Sequence, residues 1–590
     1  MTARGVPEMS GLVLGINGCS HNTSAALIGD GEMLAHVEEE RFNREKHSMA
    51  WPRLSVEYCL KHAGATMADV DMVALAGRPR NEILWSAALG LRHFGRTWYR
   101  RFLRNQILVT GLYKGWREKR MLREKLGYRG PIRYVEHHLS HAASAFLVSP
   151  YERAGIMTVD AQGDGLASAL YLGEGSKIRR VARYLFPRAS LGHFYDCIGE
   201  FIGMKAIRDA GKTMGLASYG DPAKTRELLA NIVSFEPGGR IRFDLDWLKD
   251  GSGEKNAKRF RDAYGPPRRP DEPITDPRFA DLAAGAQEIV EKAFFHLAGH
   301  LKETTGCEYL CLAGGVALNS VANGKLDRSG MFTDTWIQPS ANDAGLSIGA
   351  AFYAYNSIRK NPRVYEMKHA YYGPGYTTAE VRAALDIGKI TYREVDDPSR
   401  AAAELVAQDK IVGWFQGRME AGPRALGNRS ILSNPMRADM KDIVNRYVKH
   451  REPYRPFAPS ALEEHAAEYF DNRGPNPFML KVVDVRPEAR SIIPAITHVD
   501  GSGRLQTVTR DVNERYWRMI DELRKITGVP VVMNTSFNIR GEPIVTTPQD
   551  ALKCYYTTGL DALVLDRFVV EKGDGHATER TTLAAATASE

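Results

Sequence analysis

In the stretch VEHHLSHAASAF, residues Val135 to Phe146, two histidines stand four positions apart. On a helix, side chains at i and i+4 project side by side, so His137 and His141 could grip one metal ion. The same spacing places Leu139, Ala142, Ala143 and Phe146 on one apolar stripe for packing on a core, with the two imidazoles on the opposite face. Alone, such a pair reads more readily as two solvated histidines. Further ligands shift that balance. TWIQPSANDAGLSIGAAFYAY reads as a strand ending at Asn342 and Asp343 before a Gly/Ala-rich helix, and GIMTVD as a strand ending at Asp160. Asp343 would act either as a helix cap or as a third ligand. Two histidines and one carboxylate suit Fe(II) or another divalent ion with open positions, and Asp160 offers a fourth contact.

Those residues must be delivered by strand ends, and the strands come in a repeated pattern. GLVLGINGCSHNTSAALIGDGEMLAHVEEERF reads as strand, Gly/Asn/Ser turn, strand, GDG turn and strand. GIMTVDAQGDGLASALYLGEGSKIRRVARYLF repeats that outline with an acidic, Gly-rich first turn. Two such units, each followed by helical sequence, predict a duplicated α/β fold with both turns facing one cleft, where ligands bind in such folds. A helix is expected from about Asp281 to Thr304, leading into YLCLAGGVALNSVANGKL, a strand, a GGxxxN turn and a helix start. The paired glycines there would let backbone approach a purine or ribose closely, or would simply allow tight strand-to-helix packing. Ser234 to Pro277, rich in Gly, Pro and charge, reads as surface loops.

With 590 residues the chain exceeds what one hydrophobic core usually serves, so two or more domains are expected. No stretch approaches the roughly 18 apolar residues of a spanning helix, and the N-terminal LVLGI is too short for a signal-peptide core, which argues for a cytoplasmic protein with no membrane partner. The 6 cysteines lack CxxC spacing and read as reduced, buried thiols. A net charge of +8 favours anionic partners, nucleic acid or phosphorylated small molecules. Trp85 to Lys125 interleaves Arg and Lys with Trp, Tyr and Phe. That pattern suits single-stranded nucleic acid, but more readily describes an amphipathic helix with snorkelling cations inserted over the cleft.

The polar, Pro/Gly-bearing run from Asn361 to Pro374 marks a domain boundary. Beyond it, GWFQGRMEAGPRALGNRSILSNPMRADMKDIVNRYVKHREPYRPFAPS alternates arginine and glycine with apolar strands, as expected where phosphate meets guanidinium forks and backbone amides. GVPVVMNTSFNIRGEPIVTTPQDA then reads as a buried strand, an Asn/Thr/Ser turn and a helix capped near Thr547. The segment after Lys572 is Gly/Ala/Thr-rich and is expected to be a disordered tail.

HHLSHAASAF, DAQGDG, GKTMGLASYG, LAGGVALN and QPSANDAG, followed by GRMEAGPRALGNRSIL, YRPFAPS and MNTSFNIRGEPIV, together resemble the O-carbamoyltransferases of the NodU/CmcH type. The resemblance runs from about Gly11 to Lys572, and the order of motifs is more specific than any one of them. It implies an N-terminal duplicated actin/Hsp70-like (ASKHA, RNase H-like) domain over residues 1–365, akin to the universal tRNA threonylcarbamoyl transferase subunit. It further implies a C-terminal α/β YrdC-like domain over 366–572 that binds carbamoyl phosphate. The implied chemistry combines ATP, with Mg2+, and carbamoyl phosphate into carbamoyl-adenylate, then passes the carbamoyl group to an alcohol, typically of an antibiotic or other secondary metabolite. By the same resemblance, Arg424, Arg455 and Arg504 with Asn534 and Ser536 match the carbamoyl-phosphate pocket. A planar fork for phosphate, and an amide or hydroxyl for the carbamoyl end, is what that substrate asks for. His137, His141 and Asp343, with Asp160 beside them, match the metal ligands, iron being the metal implied. Gly314, Gly315 and Asn319 would hold adenosine, and Lys46 would contact the triphosphate unless it is spent in an exposed ion pair. His21, in the first repeated turn, is the expected general base, since an alcohol is a poor nucleophile until its proton begins to leave; a turn-capping histidine is the alternative.

Other classes fit less well. A metallopeptidase would need the Glu of HExxH, absent from HHLSH. A sugar kinase would leave the arginine-rich second domain without a task. A tRNA threonylcarbamoyl-type modification enzyme is the runner-up, and an enzyme acting on a lipo-oligosaccharide is a second alternative. The expected partner is a small hydroxylated acceptor rather than nucleic acid, and the basic insertion disfavours a polycationic one.

Overall fold

The computed structural model describes residues 11–18, 20–81, 83–85, 113–244, 247 and 258–572. The chain forms two compact units, one of Met1–Asn43 with His47–Met367 and one of Arg44–Lys46 with Lys368–Glu590. The expected tail 573–590 and residues 86–112 of the basic insertion lie outside the described residues. The insertion's described end forms a helix over Tyr113–Arg120, continued by a wide turn over Met121–Lys125.

The N-terminal unit is built on β1 (Val13–Asn17), β2 (Ser24–Gly29), β3 (Glu32–Glu38), β4 (Met72–Ala76), β5 (Ile132–Val135), β6 (Arg153–Gly163), β7 (Leu166–Glu174), β8 (Lys177–Leu185), β9 (Val233–Glu236), β10 (Arg240–Phe243), β11 (Tyr309–Ala313) and β12 (Asp334–Ile337). One sheet has the order β3-β2-β1-β4-β5 and another the order β12-β11-β6-β7-β8. These are the same topology. In each, the first three strands form an antiparallel meander, and two further strands add in parallel on the other side of the first. The repeat read in the sequence is thus a repeat of strand order within a mixed α/β unit. Strands β1, β2 and β4 are buried at every position, which is why they read as continuous apolar runs rather than alternating ones.

Four local expectations change. The His137–Phe146 helix forms, but it is buried on all sides except at Leu139, the residue assigned to the core stripe, whereas both histidines are buried. The cause is a second helix, Leu346–Phe352, lying against it: a Cβ at Gly349 would stand 1.7 Å from the Ser140 carbonyl oxygen, so only glycine permits this approach. Strand β6 does not end at Asp160 but runs on to Gly163, with its pairing to β7 interrupted between Val159 and Gly163. Such an irregularity re-aims a side chain out of the ladder. Ser234–Pro277 is not all loop, since it holds the β9–β10 hairpin and a helix over Lys258–Tyr264. The long helix begins at Pro277, a turn earlier than expected, because Asp276 caps it by accepting the Arg278 N–H, and it runs to Thr305.

The C-terminal unit is organised by an eight-stranded sheet. Its order, edge to edge, is Arg393–Glu394, Phe568–Glu571, Ala562–Leu565, Val412–Phe415, Arg429–Ser433, Val531–Ser536, Ala458–Leu462 and Gln506–Val508. Apolar clusters cover it on two sides, one including Ile431, Phe537 and Leu563 and the other Trp414, Leu432 and Val564. The strand Val531–Ser536 leads through a turn to the helix Pro548–Tyr556, capped by Thr547 and Asp550 in reciprocal bonds as the TTPQD sequence predicts. The five described cysteines are free and buried.

Candidate active site

In the N-terminal unit the two predicted metal-binding sequences meet. His137 and His141 are the first and fifth residues of their helix, and Asp343 follows β12. Its neighbour Asn342 takes the capping role, accepting the Ala344 N–H, which leaves the Asp343 carboxylate for the histidines. Asp160 Oδ2 lies 2.9 Å from His141 Nε2 and 3.3 Å from His137 Nε2. Asp343 Oδ1 lies 3.7 Å and 3.8 Å from the same two nitrogens. One ligand atom from each of the four residues falls within 4.8 Å of the others, and all four residues are buried.

Two carboxylates so close in a buried place require positive charge. Burial alone would raise Asp160, but hydrogen bonds from His137 and His141 hold it well below the usual carboxylate range. Burial would likewise raise Asp343, and the charge of His21, a hydrogen-bonding interaction with His141 and the charge of His137 bring it down to about 2. His141 shows the converse: burial pushes it down, and the two carboxylates outweigh this and lift it to about 9. Protons on imidazole therefore balance this cluster, and a divalent ion with two nitrogen and two oxygen donors would balance it equally, so the residues fit a metal. Gly163 and Gly315 make the room: a Cβ on the first would fall 2.0 Å from the His137 ring, and one on the second 3.3 Å from Asp160 Oδ1.

His21 is partly exposed in the turn after β1, and the charges of Asp343 and Asp160 reach it. Burial lowers its pKa, but Asp343, a hydrogen bond with Asn22 and Asp160 together raise it above the ordinary value. The first and second repeated turns are thus brought to one place. The Asn22 Oδ1 lies 3.0 Å from His21 Nδ1 and 3.2 Å from His47 Nδ1. An Nδ1–H donated to this oxygen leaves Nε2 as the basic nitrogen of His21.

The glycine-rich turn after β11 is shaped mainly by packing. Gly314 has φ +93°, and a Cβ there would lie 2.2 Å from the Val159 carbonyl oxygen. Asn319 caps the helix Ser320–Arg328 by accepting the Ala322 N–H, and exchanges two hydrogen bonds with the Gln287 amide. Its side chain is engaged within the protein, and sequence reasoning did not find Gln287.

In the C-terminal unit the predicted pocket residues also converge, with two additions. Arg424, Arg455 and Arg504 are half-buried, and their charges act on one another. Burial and Arg455 lower Arg424 to about 10, while burial and the neighbouring guanidiniums lower Arg504 well below its ordinary value. Such crowding of like charge is tolerable where an anion binds. Asn534, 1 % exposed, donates to the Ala425 carbonyl and to Ser460 Oγ, while its Oδ1 has no partner among the described residues. It is a ready acceptor for an amide N–H. The additions are Arg451 and Lys449, both within KHREPYRPF. Buried Lys449 donates from Nζ to Ser536 O (2.8 Å), Ser536 Oγ (3.3 Å), Asn538 O (2.8 Å) and Asn538 Oδ1 (2.6 Å), and burial with Arg451 beside it drives its pKa well down. Lys46 groups with this unit and its charge also lowers Lys449, whereas its sequence position had suggested the N-terminal domain. The sequence signal for Lys449 was available in the basic run before YRPFAPS, but its burial was not.

Comparison with known proteins shows the family. Residues 12–352 match the family model described as Carbamoyltransferase N-terminus and residues 403–572 the one described as Carbamoyltransferase C-terminus. The chain belongs to the carbamoyltransferase family and is an enzyme of that class. It is 40% identical to nodulation protein NolNO of Sinorhizobium fredii, over 94% of this chain and 79% of that protein. It is 38% identical to an uncharacterized protein of Synechocystis sp., over 95% of this chain and 96% of that one. Nodulation protein U of Bradyrhizobium diazoefficiens is 28% identical over 91% and 93% of the two chains. Among solved structures, HypF of T. kodakarensis aligns with 13% identity over 60% of this chain and 48% of that one, with a TM-score of 0.31. No helix among the described residues is long and apolar enough to cross a membrane.

Proposed function

We propose that this carbamoyltransferase forms carbamoyl-adenylate from carbamoyl phosphate, one water and ATP, the water releasing phosphate and leaving a carbamate whose oxygen displaces pyrophosphate from ATP, and transfers the carbamoyl group to a hydroxyl of a small-molecule acceptor. The observation that carries the reading is the buried His137–His141–Asp160–Asp343 cluster with His21 within reach of its charges. Such a site serves transfer from an anionic donor to an oxygen nucleophile. A divalent ion held there, Fe(II) by family resemblance, would supply Lewis-acid charge against an adenylate phosphate. His21 Nε2 takes the acceptor's proton as the new O–C bond forms and the bond from carbamoyl carbon to the phosphate oxygen of AMP breaks, so AMP leaves with its electron pair. Gly315, which faces Asp160 while Gly314 is spent on packing against Val159, would let backbone come close to a nucleotide.

In the other unit, Arg424, Arg455 and Arg504 would hold the phosphate of carbamoyl phosphate as guanidinium forks. Asn534 Oδ1 would accept from the carbamoyl NH2, with Ser536 held in place by Lys449. This division reads residues 1–365 as an actin/Hsp70-like domain, supported by the two sheets of equal strand order, and 366–572 as a YrdC-like one. The acceptor class follows from the family resemblance.

The test incubates the purified protein with ATP, Mg2+, carbamoyl phosphate and a panel of hydroxylated compounds comprising an aminoglycoside, a macrolide, an ansamycin, a β-lactam and a lipo-oligosaccharide. A gain of one carbamoyl mass on an acceptor, dependent on ATP, supports the reading. Carbamoylation that proceeds without ATP refutes it, and strong retention on tRNA at physiological salt would favour the modification-enzyme alternative.

A further inference from the structure

The side chain of Asn17, the last residue of β1, is 2 % exposed and fully engaged. Its Nδ2 donates to the Asp343 carbonyl oxygen at 2.9 Å and to the Asn22 carbonyl oxygen at 3.2 Å, while its Oδ1 accepts from Ser20 Oγ at 3.0 Å. One amide thus holds the backbone of a cluster carboxylate and both flanks of the turn that carries His21. Ser20 Oγ also lies 3.1 Å from the His21 carbonyl oxygen, a second acceptor that shares its one proton with Asn17 Oδ1. The neighbouring strands add to the grip on the 343–344 segment. Ser24 of β2 donates to the Ala344 carbonyl at 2.7 Å, and His36 Nε2 of β3 lies 3.0 Å from the same oxygen.

The sequence separation between Asn17 and Asp343 is 326 residues, so no local pattern joins them. Only a planar group with two N–H donors and an opposed acceptor serves all three partners at once, and among short side chains that is the primary amide. We infer that Asn17 is a positioning residue that sets the His21 turn and the Asp343 ligand relative to each other, so that metal retention and proton removal depend on a single buried amide. Its hydrogen bonds go to protein atoms, so it acts through Asp343 and the His21 turn. The inference rests on the proposed function above, in which His21 is the base and Asp343 a metal ligand.

The experiment uses the full chain with Asn17→Ala and Asn17→Asp, each alone and combined with His21→Ala. Aspartate keeps the shape but turns an acceptor oxygen toward the two carbonyls. Partners behind a metal ligand typically tune affinity or activity by roughly ten- to a hundred-fold, so Fe(II) and Mn(II) titrated anaerobically should bind each variant weaker by about that factor. Carbamoyl transfer should fall to a similar extent while pyrophosphate release driven by carbamoyl phosphate persists. With metal saturating, loss of Asn17 in the His21→Ala background should lower transfer little further, because the base it positions is already gone. Thermal melting is recorded on the same preparations, and if Asn17→Ala does not fold, Asn17→Asp carries the test. Unchanged metal affinity in the folded variants overturns the inference, as does a transfer loss that, with metal saturating, multiplies with that of His21→Ala. Should His21→Ala itself transfer at the full rate, the base assignment fails, and the metal titration still judges Asn17 independently.

Discussion

Metal binding to the N-terminal cluster should compete directly with a proton on His141, and the competition can be worked from the structure. His141 Nε2 faces Asp160 at 2.9 Å and Asp343 at 3.7 Å, and with both carboxylates ionised its pKa stands at about 9 rather than 6.5. A ligating nitrogen must first lose that proton. At pH 7 a group of pKa about 9 is protonated about a hundredfold more often than not, so apparent metal affinity is reduced by about two powers of ten, or roughly 2.7 kcal/mol. Affinity should therefore rise about tenfold per pH unit between about pH 6.5 and 8.5, with about one proton released per ion. The metal-free protein should respond with the opposite sign. A histidine raised from 6.5 to about 9 by folding stabilises the folded state by about 3 kcal/mol below pH 6.5, and this contribution is lost as pH rises through about 9. Calorimetric titration of Mn(II) in two buffers of different ionisation enthalpy counts the protons. Melting of metal-free protein from pH 6 to 9 checks the second half. Binding without proton release, at an affinity flat over this range, would refute the charge balance assigned to the cluster.

Three further outcomes are expected. His21→Ala should lower acceptor carbamoylation by roughly a hundred- to ten-thousand-fold while pyrophosphate release continues; if both half-reactions and the melting temperature fall together, the residue is a turn cap instead. Arg455→Ala should abolish pyrophosphate release driven by carbamoyl phosphate yet leave use of supplied carbamoyl-adenylate intact, and loss of both in a folded variant would end the proposed division of labour. Gly163→Ala should destabilise by about 1–3 kcal/mol and weaken metal binding, because its Cβ would fall 2.0–2.4 Å from three atoms of the His137 ring; wild-type metal affinity would show that the ring is free to move.

The sequence by itself determined the first two strands of each repeated unit, because the buried residues of β1, β2, β6 and β7 are contiguous and the turns carry Gly, Asn and Asp at positions that require them. The Thr547 cap and the pairing of His137 with His141 were legible for the same reason: each rests on contacts within a few residues along the chain. The motif order also carried the family, since spacing and residue type survive where individual contacts are invisible. Other features depended on what lies against them. Both faces of the His137–Phe146 helix are buried because Gly349 lets a distant helix approach, which no periodicity in HHLSHAASAF encodes. Asp343 became available to the histidines because Asn342 took the cap, a choice between two adjacent capping residues that only the packed geometry makes. Lys449 and Asn17 act through partners 87 and 326 residues away. A buried polar group must find its hydrogen-bond partners wherever the fold supplies them, so its role is decided by tertiary structure.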